Sequence, residues 1–266
     1  MIRKPAVAGQ FYPGNPTRLQ DMVTRALGPG PGEPAVGVVS PHAGYAYSGA
    51  VAGCTFGAAR VPDTVILLGP NHTGLGTDAG VWARGGWATP LGTVPVAEDL
   101  AEALLAACPI LQEDTLAHVH EHSLEVQLPF LQVKSPSVRI VPISFMLRSY
   151  GDIAEVGRAV ARVVESWPDP VLLVASSDMS HYEPEDVVRA KDRMAIECML
   201  ALDPRGLLDT TKRHGITMCG VVPTAVMLVA ARELGAAGAK LVRYATSGDV
   251  SEEHRQVVGY AGIVVA

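Results

Sequence analysis

Two short stretches of this chain are apolar almost throughout rather than at every second position: Val36 to Val39, broken only by Gly37, and Val65 to Leu68. Such a run reads as a strand covered on both faces, the habit of a parallel sheet with helices packed above and below it. Both runs end alike, in Ser40-Pro41-His42 and in Gly69-Pro70-Asn71-His72. Loops leaving the carboxyl ends of parallel strands gather ligands and chemistry. Two imidazoles delivered there suggest a metal site.

The rest of the chain repeats the alternation. Strands are expected at about 36–40, 64–68, 138–145, 170–175, 240–246 and 257–265. Helical patterns fall at about 49–59, 98–107, 122–132, 152–166, 185–202 and 221–234, after a first helix from Arg18 to Leu27 capped by Thr17. Acids open two of them, at Glu98-Asp99 and Glu185-Asp186, where the helix dipole favours negative charge. The expectation is an α/β fold, a central mostly parallel or mixed sheet between two helical layers, in one domain spanning residues 1–266. The segment Val81 to Val94, rich in Gly, Trp and Thr, reads as an extra hairpin at one edge.

Composition excludes several classes of function. The net charge is −6 and the basic residues are scattered, so no basic stripe offers itself to nucleic acid. No apolar run approaches the roughly 20 residues of a membrane span. The N-terminus lacks a secretory apolar stretch, and Cys54, Cys108, Cys198 and Cys219 have no CxxC spacing, so the cytoplasm is the expected location.

A third apolar run, Val171 to Ala175, leads into Ser176-Ser177-Asp178-Met179-Ser180-His181 and brings a carboxylate and an imidazole to another strand end. Cys219 precedes the helix from Val221. There the positive end of the helix dipole is expected to lower its pKa and make it a better ligand or nucleophile. The other three cysteines sit in apolar helical patterns and read as inert core thiols. In the tract His118-Val119-His120-Glu121-His122, His118 and His120 read as surface residues, whereas Glu121 and His122, at a helix start, can reach a neighbouring cleft.

Taken together, these segments resemble the Memo family, including the bacterial and archaeal proteins called AmmeMemoRadiSam system protein B. The resemblance rests on Arg3-Lys4-Pro5-Ala6-Val7-Ala8-Gly9-Gln10-Phe11-Tyr12-Pro13, on Ser40-Pro41-His42-Ala43-Gly44-Tyr45, on Leu68-Gly69-Pro70-Asn71-His72, on Glu121-His122-Ser123-Leu124-Glu125-Val126-Gln127-Leu128-Pro129, on Ser176-Ser177-Asp178-Met179-Ser180-His181 and on Met218-Cys219-Gly220. It implies an α/β/α sandwich similar to the class III extradiol dioxygenases. It also implies metal ligation by His42, His72 and Cys219, with Asp178 and His181 as acidic and imidazole groups in the same cleft, lined further by Tyr45, Glu121 and His122. Partners of the radical SAM and AMMECR type are implied in the same way.

Two neutral imidazoles and one thiolate suit borderline or soft ions, so iron(II) or copper is expected, with zinc as a further candidate and no organic cofactor. Cys219 stands where the dioxygenases have a carboxylate ligand, which argues against ring cleavage. Three functions remain open at this point: a metal-dependent oxidoreductase or metal-handling protein with His181 as proton carrier oriented by Asp178, a non-catalytic module that holds a small-molecule or peptide ligand or a partner protein, and an extradiol-type dioxygenase.

Overall fold

The computed structural model describes residues 1–266. Four parallel strands form the centre of a nine-stranded sheet, in the spatial order Gly37–Ser40, Val171–Ser176, Thr64–Pro70, Arg139–Phe145. Nearly every residue in them is buried, as strands covered on both faces require. On one flank Val257–Val265 runs antiparallel to Gly37–Ser40 and carries Ala239–Thr246 and His181–Glu183. On the other, Ala79–Val81 runs antiparallel to Arg139–Phe145 and pairs with Gln112–Glu113. The sheet is therefore mixed, with a parallel centre.

Helices cover both faces. Pro16–Leu27, Tyr45–Ala58 and Leu128–Lys134 pack together on one; Glu98–Ala107, Tyr150–Ser166 and Val221–Glu233 pack together on the other. A single cluster of 66 buried hydrophobic residues fills the space between. No helix is long and apolar enough to cross a membrane. Because the four central strands are parallel, all their carboxyl ends lie at one edge. The turns carrying His42, His72 and Asp178 leave from that edge side by side.

Several local expectations are corrected. The first helix begins at Pro16, and its cap is Asn15 rather than Thr17: Asn15 Oδ1 accepts the Arg18 amide at 3.0 Å, and proline suits the first helical position. No helix spans 122–132. The amides of His122 and Ser123 donate instead to the Glu121 carboxylate, both at 2.9 Å, and a 3₁₀ turn at Glu125–Gln127 leads into Leu128–Lys134. An unforeseen helix, Pro204–His214, carries ordinary signals: an Asp203 cap, proline at its start, and Gly215 with φ of 58° at its end. The hairpin of Gly86–Thr89 and Gly92–Pro95 joins Ile2–Arg3 in a separate three-stranded sheet instead of extending the main one.

His120 is exposed as expected, but His118 is fully buried. Its ring sits edge-on to Trp82 and Trp87, and its Nε2 donates to the Gly80 carbonyl at 2.9 Å. Alternating the chain by residue cannot tell a polar loop from a histidine that closes a tryptophan cluster. Of the cysteines read as core thiols, Cys108 is buried, whereas Cys54 and Cys198 are half-buried.

Candidate metal centre

Two glycines let the site assemble. A Cβ on Gly69 would meet Leu124 and Ser123 at 2.6 and 2.8 Å, so its absence lets the 121–124 turn lie against the end of the Thr64–Pro70 strand. A Cβ on Gly220 would collide with the Ser176 carbonyl and the Ser177 side chain, so the loop carrying Cys219 also depends on a bare backbone. The Gly220 amide donates to Ser177 Oγ at 3.0 Å and fixes the contact.

His42, His72 and His122 converge at the strand edge, each with a ring nitrogen within 4.8 Å of the others'. The ring centroids of His42 and His72 are 5.3 Å apart, His42 and His122 are 5.6 Å apart, and His72 stacks on His122 at 4.9 Å. Metal–imidazole bonds are about 2.0–2.1 Å, so two ligand nitrogens lie at most about 4.2 Å apart and closing around one ion would draw the rings inward.

The hydrogen bonds fix which nitrogens are free. Ser176 Oγ donates its single hydrogen to the Ser123 carbonyl at 2.7 Å and accepts from Gln127 Nε2 at 2.8 Å. Having no second hydrogen to give, it accepts from His42 Nδ1, also 2.8 Å away. The proton of neutral His42 thus resides on Nδ1, and Nε2 carries the lone pair a metal needs. His72 Nδ1 likewise donates to Glu121 Oε1 at 2.9 Å, and the His72 amide donates to Glu121 Oε2 at 2.5 Å. One carboxylate therefore holds the backbone and ring of His72 and the backbone of His122.

Electrostatics keep most of this cluster ready to ligate. Burial, then the neighbouring His72 and His122, holds His42 well below the ordinary imidazole range, and burial also lowers His122. For His72, burial is the largest single influence and pulls it down, but the hydrogen bond and charge of Glu121 outweigh it and raise the pKa. Glu121 is lowered to about 2: burial opposes its charge, and His72 together with three backbone amides overcomes that.

Cys219 lies beside His42, its Sγ 3.2 Å from Nε2, and is not part of the three-way imidazole group. The expected lowering of its pKa is overturned. Burial first, and the Asp178 charge second, push the thiol up, because Cys219 stands ahead of the helix cap Gly220 in an enclosed place beside a carboxylate. Asp178 accepts from the amides of His42 and Ala43 at 2.8 and 3.3 Å, and burial nevertheless raises its pKa.

Asp178 does not orient His181. That ring donates from Nδ1 to the Thr217 carbonyl at 2.9 Å, leaving Nε2 free, and the His181 amide donates to Thr217 Oγ1 at 2.8 Å. Tyr45 stands apart from the imidazoles: its hydroxyl donates to the Val126 carbonyl at 2.5 Å, and its ring packs on Tyr12 and Phe130. Residues unforeseen for the site support its walls. Buried Glu125 accepts from Arg3 Nη1 at 2.7 Å, from the amides of Ala6 and Val7, and from the Tyr12 hydroxyl at 2.7 Å. It pins the N-terminal segment so that the Phe11 ring rests edge-on against His122, with centroids 4.9 Å apart. In the sequence Arg3 and Glu125 belong to two of the segments that carry the family resemblance, with nothing to say that they meet.

The profile of the family described as Memo-like protein matches residues 3–264. A MEMO1 family protein of Methanopyrus kandleri is 45% identical over 99% of each chain, and one of Thermotoga maritima is 41% identical over 100% of each. Among solved structures, an uncharacterized protein of Escherichia coli K12 shares the fold with a TM-score of 0.53 at 16% identity, covering 84% of this chain and 98% of its own.

Proposed function

The chain belongs to the Memo-like family, and from that premise we propose that it is a metal-dependent oxidoreductase whose ion is held by His42, His72 and His122, with Cys219 as a further ligand beside His42. The observation carrying this reading is the convergence of the three imidazoles, two of them with Nδ1 tied back so that the lone pair of the neutral ring lies on Nε2, which in His42 accepts from the Cys219 thiol. Donors of this kind suit iron(II), copper or zinc. When bound, iron or copper would supply redox and Lewis-acid chemistry.

The chain's own groups have separate tasks. Glu121 and Ser176 orient the imidazoles and hold their tautomers. Cys219 has to lose its proton to ligate, and burial and Asp178 hold that proton on sulfur, so binding releases a proton and strengthens as the pH rises. His181, held through Nδ1, keeps Nε2 available to accept a proton in the cleft.

Anaerobic titration of purified protein with iron(II), copper(I) and zinc tests the reading. One ion per chain is expected, with His42→Ala or His72→Ala weakening it at least about 100-fold. Cys219→Ser and His122→Ala, compared in the same titration, rank the two remaining donors. His181→Ala is expected to keep its metal while oxygen-dependent turnover falls about 100-fold. Wild-type affinity in both His42→Ala and His72→Ala would remove the proposed centre.

A further inference from the structure

A cavity of about 470 Å³ opens between the starts of Tyr150–Ser166 and Val221–Glu233 and the flank of Pro204–His214. Arg148 leaves the carboxyl end of Arg139–Phe145, and Ile216 and Val221 bracket the loop of Cys219, so the cavity belongs to the sheet edge where ligands gather. Its wall carries three cations, Arg148, Arg205 and Lys212, against one carboxylate, Asp209. In a chain of net charge −6 this local excess runs opposite to the whole.

The carboxylate is already engaged. Asp209 Oδ2 accepts from Arg205 Nε at 3.0 Å, and the Arg205 guanidinium lies over the Tyr150 ring, 5.0 Å from its centroid. Held at Nε and against one ring face, Arg205 keeps both Nη groups without an acceptor, and that fork matches the oxygens of a phosphate. Neither Arg148 nor Lys212 pairs with a carboxylate within 4.0 Å. Lys212 has a local reason for its place, the last turn of a helix, where the dipole favours a cation. Arg148 has the opposite: it precedes the cap Ser149 at the start of a 17-residue helix, where the dipole repels positive charge. Ser149 Oγ already accepts the Gly151 and Asp152 amides, so Arg148 contributes nothing to the cap. A residue set against its local preference, with no partner in the fold, marks a place shaped for something else.

We propose that this cavity is a second binding site, for a small phosphate monoester whose head is held by Arg148, Arg205 and Lys212 while its organic body rests against Ile216, Val221 and the Tyr150 ring. Three cations less one carboxylate leave two positive charges, which a phosphoryl dianion answers and a single carboxylate does not. The volume is that of an ordinary small-ligand site. None of these groups belongs to the imidazole centre, so the site stands or falls without it.

Calorimetric titration of metal-free protein with phenyl phosphate, inorganic phosphate and benzoate, in about 0.15 M salt where charges are screened beyond about 8 Å, tests the site. Phenyl phosphate is expected to bind tightest, inorganic phosphate more weakly through the head alone, and benzoate weakest. Arg148→Gln and Arg205→Gln should each weaken phenyl phosphate about tenfold or more, as loss of a hydrogen bond to a charged group does. Arg25→Gln, which removes an exposed cation from the opposite helical layer, should change it less than about twofold. Without ligand, Arg148→Gln should unfold about 1–3 °C above wild type, because it relieves the repulsion at the helix start. The site is overturned if phenyl phosphate does not saturate wild-type protein, if benzoate binds as tightly, if both arginine variants bind like wild type or no more weakly than Arg25→Gln, or if Arg148→Gln unfolds at a lower temperature.

Discussion

His42 Nδ1 lies 2.8 Å from Ser176 Oγ, and because that hydroxyl has already donated to Ser123, the contact decides which nitrogen of His42 faces Cys219. A strand residue with no reach to the ion thereby sets the tautomer of a ligand. Ser176→Ala is expected to weaken zinc binding about 10- to 100-fold with little change in fold, as loss of an outer partner generally does. Competition against a chromophoric chelator measures it, and an unchanged constant would mean that the ring is oriented by its neighbours alone.

Gly220→Ala is expected to move the Cys219 loop. The added methyl meets the Ser176 carbonyl and Ser177, neither of which can retreat without disturbing a strand end. Destabilisation of about 1–3 kcal/mol should follow, typical of overpacking, together with loss of metal affinity. Denaturant unfolding and metal titration of the same sample read the two effects.

Burial, the dominant influence, lowers the pKa of His118 to about 4, against an ordinary value near 6.5. The unfolded chain therefore takes up a proton between pH 6.5 and 4 that the folded chain refuses. Stability from this residue is complete above pH 6.5 and falls as the pH drops to 4, by about 3 kcal/mol at 1.36 kcal/mol per pH unit. His118→Gln should flatten the stability profile across that window when unfolding is followed by fluorescence. A slope equal to that of wild type would exclude His118 as its source.

Glu185 acts in a lower window. The Thr246 hydroxyl, then Arg189 and His254, hold its pKa at about 2, below its ordinary value of 4.5. Its stabilisation is present above pH 4.5 and is lost as the pH falls through 2. Glu185→Gln should lower the unfolding temperature at pH 7, and the gap from wild type should narrow below pH 4.5. A gap that stays constant down to pH 2 would point to packing in place of charge.

The sequence by itself determined the sheet's parallel centre and the delivery of His42, His72 and Asp178 to its edge. Continuous apolar runs have a local cause, burial on both faces, and a motif at the end of a parallel strand goes wherever that end goes. Tertiary structure decided everything that depends on two distant segments meeting. His122 could be seen only as a group able to reach a cleft, since its place beside His72 depends on Gly69 admitting a turn from some fifty residues away. The burial of His118 against two tryptophans was equally hidden. The Cys219 thiol shows the limit most clearly: its position near a helix start argued for a lowered pKa, but burial and the Asp178 carboxylate, arriving from the loop after Val171–Ser176, reverse the sign. Charge on a side chain is set by everything around it, and only folding brings those surroundings together.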